Sequence, residues 1–243
     1  MNYRKSSGLG FSWTILEADM GWFDFLKKNK VSKTSFVEEY EQLFEKKIPA
    51  IRSVDQLTFI VLDTETTGLN PKKDYILSFG AIKIKGYKMK VNSAWEIYLD
   101  SPLHNKESIQ IHEILYHDQA FPLKEFAKDF LTYIGSDIIV GHHIGFDIAM
   151  LEKALMSFGL KKLKNPVLDT LALSMRLEKG PHYDPALGSP GEYALDNLCE
   201  RYGIPLDDRH TAAGDAFLTA QLFMRLLKIA EQKGIKNFGS LIK

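Results

Sequence analysis

The hydrophobic pattern divides the chain near Leu57. Phe59-Ile60-Val61-Leu62 is a short β-favouring run with no polar interruption, the pattern of a central strand buried on both faces. Gly68, Asn70 and Pro71 mark the turn after it. Tyr75 to Ile84 reads as a second strand and Ala94 to Leu99 as a third, with connections short enough for an antiparallel meander. Helical patterns follow over 106–117 and 122–134, and Asp137-Ile138-Ile139-Val140-Gly141 then reads as a short buried strand. From Phe146 a helix is predicted, because Ile148, Leu151, Leu155 and Phe158 recur at spacings of three and four. Further helices are predicted over 168–178, 193–202 and 211–232. Three strands followed by alternating helices and strands predict an α/β fold, a mixed sheet covered by helices.

Before Leu57 the character differs. Ser35-Phe36-Val37-Glu38 fits a capping box, and Phe36, Tyr40, Leu43, Phe44, Ile48 and Ile51 predict a helix over roughly 35–50. Its apolar face suits either packing on the main domain or docking of another protein. Upstream, Trp22 to Leu26 followed by Lys27, Lys28 and Lys30 could form a basic amphipathic anchor or a solvated helix end. The expected division is therefore an N-terminal helical extension over 1–56, a main domain over 57–232 and a tail over 233–243. Gly180 to Gly191, with three prolines and three glycines, should be a mobile surface loop.

Composition narrows the classes. The single cysteine, Cys199, excludes an internal disulfide framework and fits a reducing cytoplasm. No apolar run approaches the roughly 20 residues a membrane-spanning helix needs, and Glu17 and Asp19 interrupt the apolar stretch around Trp13 to Leu16 that a secretory leader would require. A soluble, cytoplasmic protein without a membrane partner is expected. The 31 basic residues match the 31 acidic ones. Duplex-binding proteins held mainly by counterion release carry a basic excess. A nucleic-acid partner would therefore be gripped over a few nucleotides in a pocket, or through another protein.

Three segments carry candidate chemistry. In Asp63-Thr64-Glu65-Thr66-Thr67-Gly68-Leu69, two carboxylates two positions apart end an apolar strand and point the same way. Burying like charges together is costly unless a cation neutralises them, and hard divalent cations want oxygen ligands; the alternative is that both simply reach solvent. In Val140-Gly141-His142-His143-Ile144-Gly145-Phe146-Asp147, a buried strand ends and an acid lands in the first turn of a helix. There it gains from the helix dipole and also lies at a carboxyl strand end, where α/β sheets place ligands. In His210-Thr211-Ala212-Ala213-Gly214-Asp215, a histidine able to take a proton near neutral pH precedes an aspartate opening the last long helix. A surface histidine in a capping turn reads equally well.

Taken together, and in this order, the segments resemble the DnaQ-like 3′→5′ exonucleases, and within them the subgroup whose signature is three aspartates, one glutamate and a histidine. Thr66-Thr67-Gly68-Leu69, Ile111-His112-Glu113-Ile114, Leu168-Asp169-Thr170-Leu171 and Leu195-Asp196-Asn197-Leu198 also fit, so the likeness spans about 57–230. It most resembles the proofreading exonuclease of replicative DNA polymerases.

The resemblance implies an RNase H-like, mixed five-stranded sheet flanked by helices. It implies two Mg²⁺ or Mn²⁺ ions held by Asp63, Glu65, Asp147 and Asp215, with His210 as general base. Thr66, Gly68 and Leu69 would cradle the terminal nucleotide. The implied partner is a single-stranded nucleic-acid 3′ end, DNA before RNA, with a DNA polymerase or another replication or repair protein alongside. An RNA-trimming exoribonuclease on the same fold and a catalytically silent binding module are the alternatives. The family commonly has His-Asn where this chain has His142-His143, which bears on any substrate contact made at His143. Arg209, directly before the histidine, reads as a phosphate contact or as a plain surface arginine.

Overall fold

A computed structural model of the chain describes residues 32–100, 120–183 and 188–243. The expected anchor around Trp22 to Leu26, the helix over 106–117 and the Ile111-His112-Glu113-Ile114 fragment lie outside these residues. Five strands form one sheet in the order β3-β2-β1-β4-β5, with β1 Thr58–Thr66, β2 Ile76–Lys85, β3 Lys88–Tyr98, β4 Ile138–Gly141 and β5 Val167–Asp169. β2 pairs antiparallel with both β1 and β3. β4 pairs parallel with β1 and with β5. The mixed sheet is thus as expected, with β3 starting earlier than its apolar pattern showed.

The helices are α1 Ser35–Gln42, α2 Leu123–Ile134, α3 Gly145–Met156, α4 Thr170–Lys179, α5 Leu195–Arg201, α6 Ala212–Gln232 and α7 Phe238–Leu241. Helix α1 stops well short of residue 50. Pro49 disfavours helical backbone at the residue before it, and no regular helix spans 43–50. Val37 and Tyr40 of α1 are buried, and the Tyr40 hydroxyl donates to Asn165 Oδ1 at 2.6 Å while accepting from the Lys164 N–H at 2.8 Å. The apolar face of α1 is therefore packed. At the other end, Leu241 of α7 is buried in the core, and the Val54 N–H donates to the Lys236 carbonyl at 3.0 Å.

Each face of the sheet has its own core. Phe59 and Val61 of β1 join Ile82, Ile84 and residues of α4, α5 and α6, among them Leu173, Leu198, Leu222 and Phe223. Ile60 and Leu62 join Phe79, Ala81 and residues of α2 and α3, including Phe126, Phe130 and Leu151. Period-2 alternation along β1 carries this division forward. Asp63 and Glu65 continue the α6 face, and Thr64 continues the α3 face.

Gly80, paired with Asp63 across the sheet, controls how closely α6 approaches. A Cβ there would lie 2.2 Å from the Ala212 carbonyl carbon and 2.3 Å from the Ala213 nitrogen. The absent side chain lets the helix N-terminus rest on β2, which sets the height of Asp215 above the sheet. No helix among the described residues is long and apolar enough to cross a membrane.

Candidate active site

Strand β4 is shorter than β1, and its pairing ends at Val140 opposite Val61. Beyond that point β1 has no neighbour on that side, and a cleft opens at the carboxyl ends of the two strands. The unpaired Thr64 N–H is taken by Asp147, whose Oδ1 accepts from the Thr64 nitrogen at 3.0 Å and from its hydroxyl at 2.6 Å. Asp147 lies in the first turn of α3 and is buried. It thus reaches the cleft from the opposite face of the sheet to Asp215.

On the α6 side, one carboxylate oxygen from each of Asp63, Glu65 and Asp215 lies within 4.8 Å of the others. Asp215 sits in the first turn of α6, where its N–H donates to the Thr211 carbonyl at 2.9 Å and Thr211 Oγ1 caps the Gly214 N–H at 3.0 Å. Gly214 is needed because a Cβ there would fall 1.9 Å from the Asp208 carbonyl oxygen. Asp63, Glu65 and Asp215, separated by up to 152 positions of sequence, therefore meet through two strand residues and a helix N-terminus. Asp147 stands beside them on Thr64, close enough to act on Asp63 and Glu65.

Their ionisation shows the strain of that meeting. Burial, then the neighbouring Asp147, Asp215 and Glu65, hold the Asp63 carboxyl well above its usual range. Burial together with Asp215 and Asp147 pushes Glu65 up to about 7. Burial likewise raises Asp147 to about 6, opposed by its bonds from Thr64. An all-oxygen donor set crowded enough to resist ionising fits a hard divalent cation, which would supply the missing positive charge.

The shifts give a sign for the pH dependence of stability. Carboxyls raised above their unfolded values bind more protons in the folded state, so stability falls as pH climbs from about 4 to about 7 and stays reduced above that. In EDTA, the melting temperature should be higher at pH 5.5 than at pH 8. Saturating Mg²⁺ should raise it at pH 8 and barely change it at pH 5.5. Differential scanning calorimetry at the two pH values checks this; a cation-independent profile would count against a metal centre.

The remaining expected residues fall around the cleft unevenly. His143 is exposed at its wall, and the cleft, about 700 Å³, is bounded also by Asp63, Asp215, Arg209 and the segment Gly188–Leu195. His143 has φ +55°, a left-handed backbone in which asparagine and histidine are enriched. Its N–H donates to Asp169 Oδ1 at 2.9 Å, so backbone geometry accounts for the residue types this position tolerates. Thr66 is buried, and its hydroxyl donates to the Gly68 carbonyl at 2.8 Å. Leu69 is 88% exposed just beyond. His210 is not gathered with the acids. It is exposed, with φ +67°, and its side chain makes no hydrogen bond among the described residues.

Sequence reasoning missed one contributor and misplaced two. Thr64 lay unremarked between the two acids. Asp169 was expected inside a helix, yet it ends β5 and caps α4, its Oδ1 accepting from the Leu171 N–H at 2.9 Å as well as from His143. Arg209 is neither a free surface arginine nor turned outward: its guanidinium pairs with Asp215 and with Asp196. A glycine inside a strand pattern, Gly80, was a further signal for the close helix approach, beside the small residues Ala212, Ala213 and Gly214.

A mixed sheet in this order, flanked by helices on both faces, is of the RNase H-like fold. Residues 60–223 match the family model described as exonuclease, the RNase T family. The chain belongs to that family, the DnaQ-like 3′→5′ exonucleases whose motifs it carries. It is similar to the PolC-type DNA polymerase III of Bacillus subtilis, with 32% identity over 198 residues, 79% of this chain and 13% of that protein. It is similar also to an epsilon-like DNA polymerase III subunit protein of Rhodobacter capsulatus, with 32% identity over 196 residues, 78% of this chain and 26% of that one. Among solved structures, Escherichia coli exonuclease I in complex with a dA16 oligonucleotide shares the fold, with TM-score 0.58 and 20% identity over 71% of this chain and 42% of that one. The chain therefore spans well under two thirds of the length of the relatives it matches.

Proposed function

We propose that the chain removes nucleoside 5′-monophosphates from single-stranded or frayed 3′ ends, DNA in preference to RNA, as a soluble cytoplasmic enzyme whose catalytic unit is residues 57–232. The observation that carries the reading is the convergence of Asp63, Glu65 and Asp215, with Asp147 alongside, on one cleft. The DNA assignment is supported by relatives named for DNA polymerase III and by an exonuclease I complex that holds an oligodeoxynucleotide. The names of the same relatives support a DNA polymerase as partner, with another replication or repair protein as the alternative.

In this reading Asp63, Glu65, Asp147 and Asp215 hold two Mg²⁺ or Mn²⁺ ions. When bound, these supply Lewis-acid activation of the attacking water and neutralise charge on the phosphodiester and the departing 3′ oxygen. Thr64 fixes Asp147 through its Oδ1, leaving its second oxygen for a cation. Thr66, Gly68, Leu69 and His143 line the approach of the terminal nucleotide, and the exposed Leu69 can pack against any base without reading its edge. His210 takes the proton from the water, which requires the turn around it to bring the imidazole inward from its solvent-facing position.

The test is a degradation assay on matched DNA and RNA oligonucleotides, single-stranded and with a mismatched 3′ end, in Mg²⁺ or EDTA. Stepwise shortening of DNA from the 3′ end in Mg²⁺ alone, with 5′-mononucleotides as product, is expected. Faster loss of RNA would move the assignment to RNA trimming, and no degradation of either would leave a binding module.

A further inference from the structure

We propose that Arg209 is a built-in counter-charge which competes with divalent cations for the carboxylate cluster, so that cation binding must first prise its guanidinium from Asp215. The inference rests on the metal-site reading above and adds a regulatory element to it. Arg209 Nη1 is bonded to Asp215 Oδ1, and Nε is bonded to Asp196 Oδ1 on α5. The Arg209 side chain is only 20% exposed, although the residues on either side of it are exposed. A single positive charge is thus inserted beside the acidic group, two of whose members, Asp63 and Glu65, are held above their usual range by burial and by their acidic neighbours. It offsets part of the charge that would draw a cation in.

Asp208 and His210, the two neighbours of Arg209, both have left-handed backbone, with φ of +55° and +67°, a region that aspartate and histidine enter more readily than most residues. The Asp208 carbonyl accepts from Thr211 Oγ1 at 3.1 Å and lies against Gly214, and the two arginine ion pairs tie down the residue between. With Arg209 turned into the cleft, the adjacent His210 is turned out of it. Release of the guanidinium frees the same turn to relax, and only then can the imidazole face the acids. Cation entry and histidine delivery are in this way coupled through one side chain.

Mn²⁺ binding to the full chain, stripped of metal with EDTA and dialysed, tests the proposal by isothermal titration calorimetry. Arg209→Gln should bind Mn²⁺ on the order of tenfold more tightly than wild type, because one repelling charge is gone. Its metal-stripped form should melt at a lower temperature, and Mn²⁺ should restore that loss. Arg209→Lys, which keeps the charge, should stay near the wild-type affinity; a purely structural role would instead move both variants alike. Arg209→Met, of similar length and uncharged, gives the same comparison if the glutamine variant folds poorly. Wild-type or weaker Mn²⁺ affinity in the uncharged variants overturns the proposal while leaving the metal site standing. No Mn²⁺ uptake by wild type overturns both.

Discussion

Asp63→Asn should lower Mg²⁺-dependent mononucleotide release by several orders of magnitude and, in EDTA at pH 8, raise the melting temperature. Both follow from one fact. Asp63 continues the face of β1 that meets α6, and it is the acid on which burial and all three neighbouring carboxylates act together. Asparagine keeps the shape and removes the charge, so the folded state loses a repulsive partner. Active sites commonly hold such charge at the expense of stability. The same change removes an anionic oxygen from the group formed with Glu65 and Asp215, and a neutral amide is a poor substitute toward a hard cation. Chromatography of released nucleotides and a melting curve read the two effects from one preparation. Retained activity would remove Asp63 from the mechanism, and a large loss of stability would recast it as a structural residue.

His210→Ala should reduce the rate by about 10²–10⁴-fold, the usual contribution of a positioned general base. Because His210 is exposed and its side chain carries no hydrogen bond among the described residues, its loss should leave the melting temperature almost unchanged. It should also leave Mn²⁺ affinity close to wild type. That separates it from Asp63→Asn, which disturbs cation binding, and from Arg209→Gln, which tightens it. Single-turnover rates on a 5′-labelled oligodeoxynucleotide, beside calorimetric Mn²⁺ titration, make the comparison. A rate within a few-fold of wild type would mean that His210 keeps its outward position throughout and that another group accepts the proton.

The order of chemistry in the chain was legible because it lies in local patterns. Asp63 and Glu65 share a face for the period-2 reason alone, and Asp147 and Asp215 announce themselves as acids opening apolar-striped helices. The mixed sheet followed from short strand connections and then longer helical ones. What local patterns could not carry was which side of the sheet each helix covers. Asp147 and Asp215 arrive from opposite faces, and the first succeeds only because β4 stops at Gly141 and leaves the Thr64 N–H free to bind it. A strand's length relative to its neighbour is a tertiary fact. Arg209 was ambiguous for a similar reason, since both of its partners lie on helices whose relative placement depends on packing. Helix α1 ended at Gln42, where its apolar periodicity continued; the restriction ahead of Pro49 bears only on Ile48, and no local pattern marks the earlier stop.

Anomalous diffraction from crystals soaked in Mn²⁺ tests the central claim most directly. Two peaks bounded by Asp63, Glu65, Asp147 and Asp215, with Arg209 withdrawn from Asp215, are the expected result. Mn²⁺ sites elsewhere on the surface, with these four side chains uncoordinated and Arg209 still in place, would contradict it.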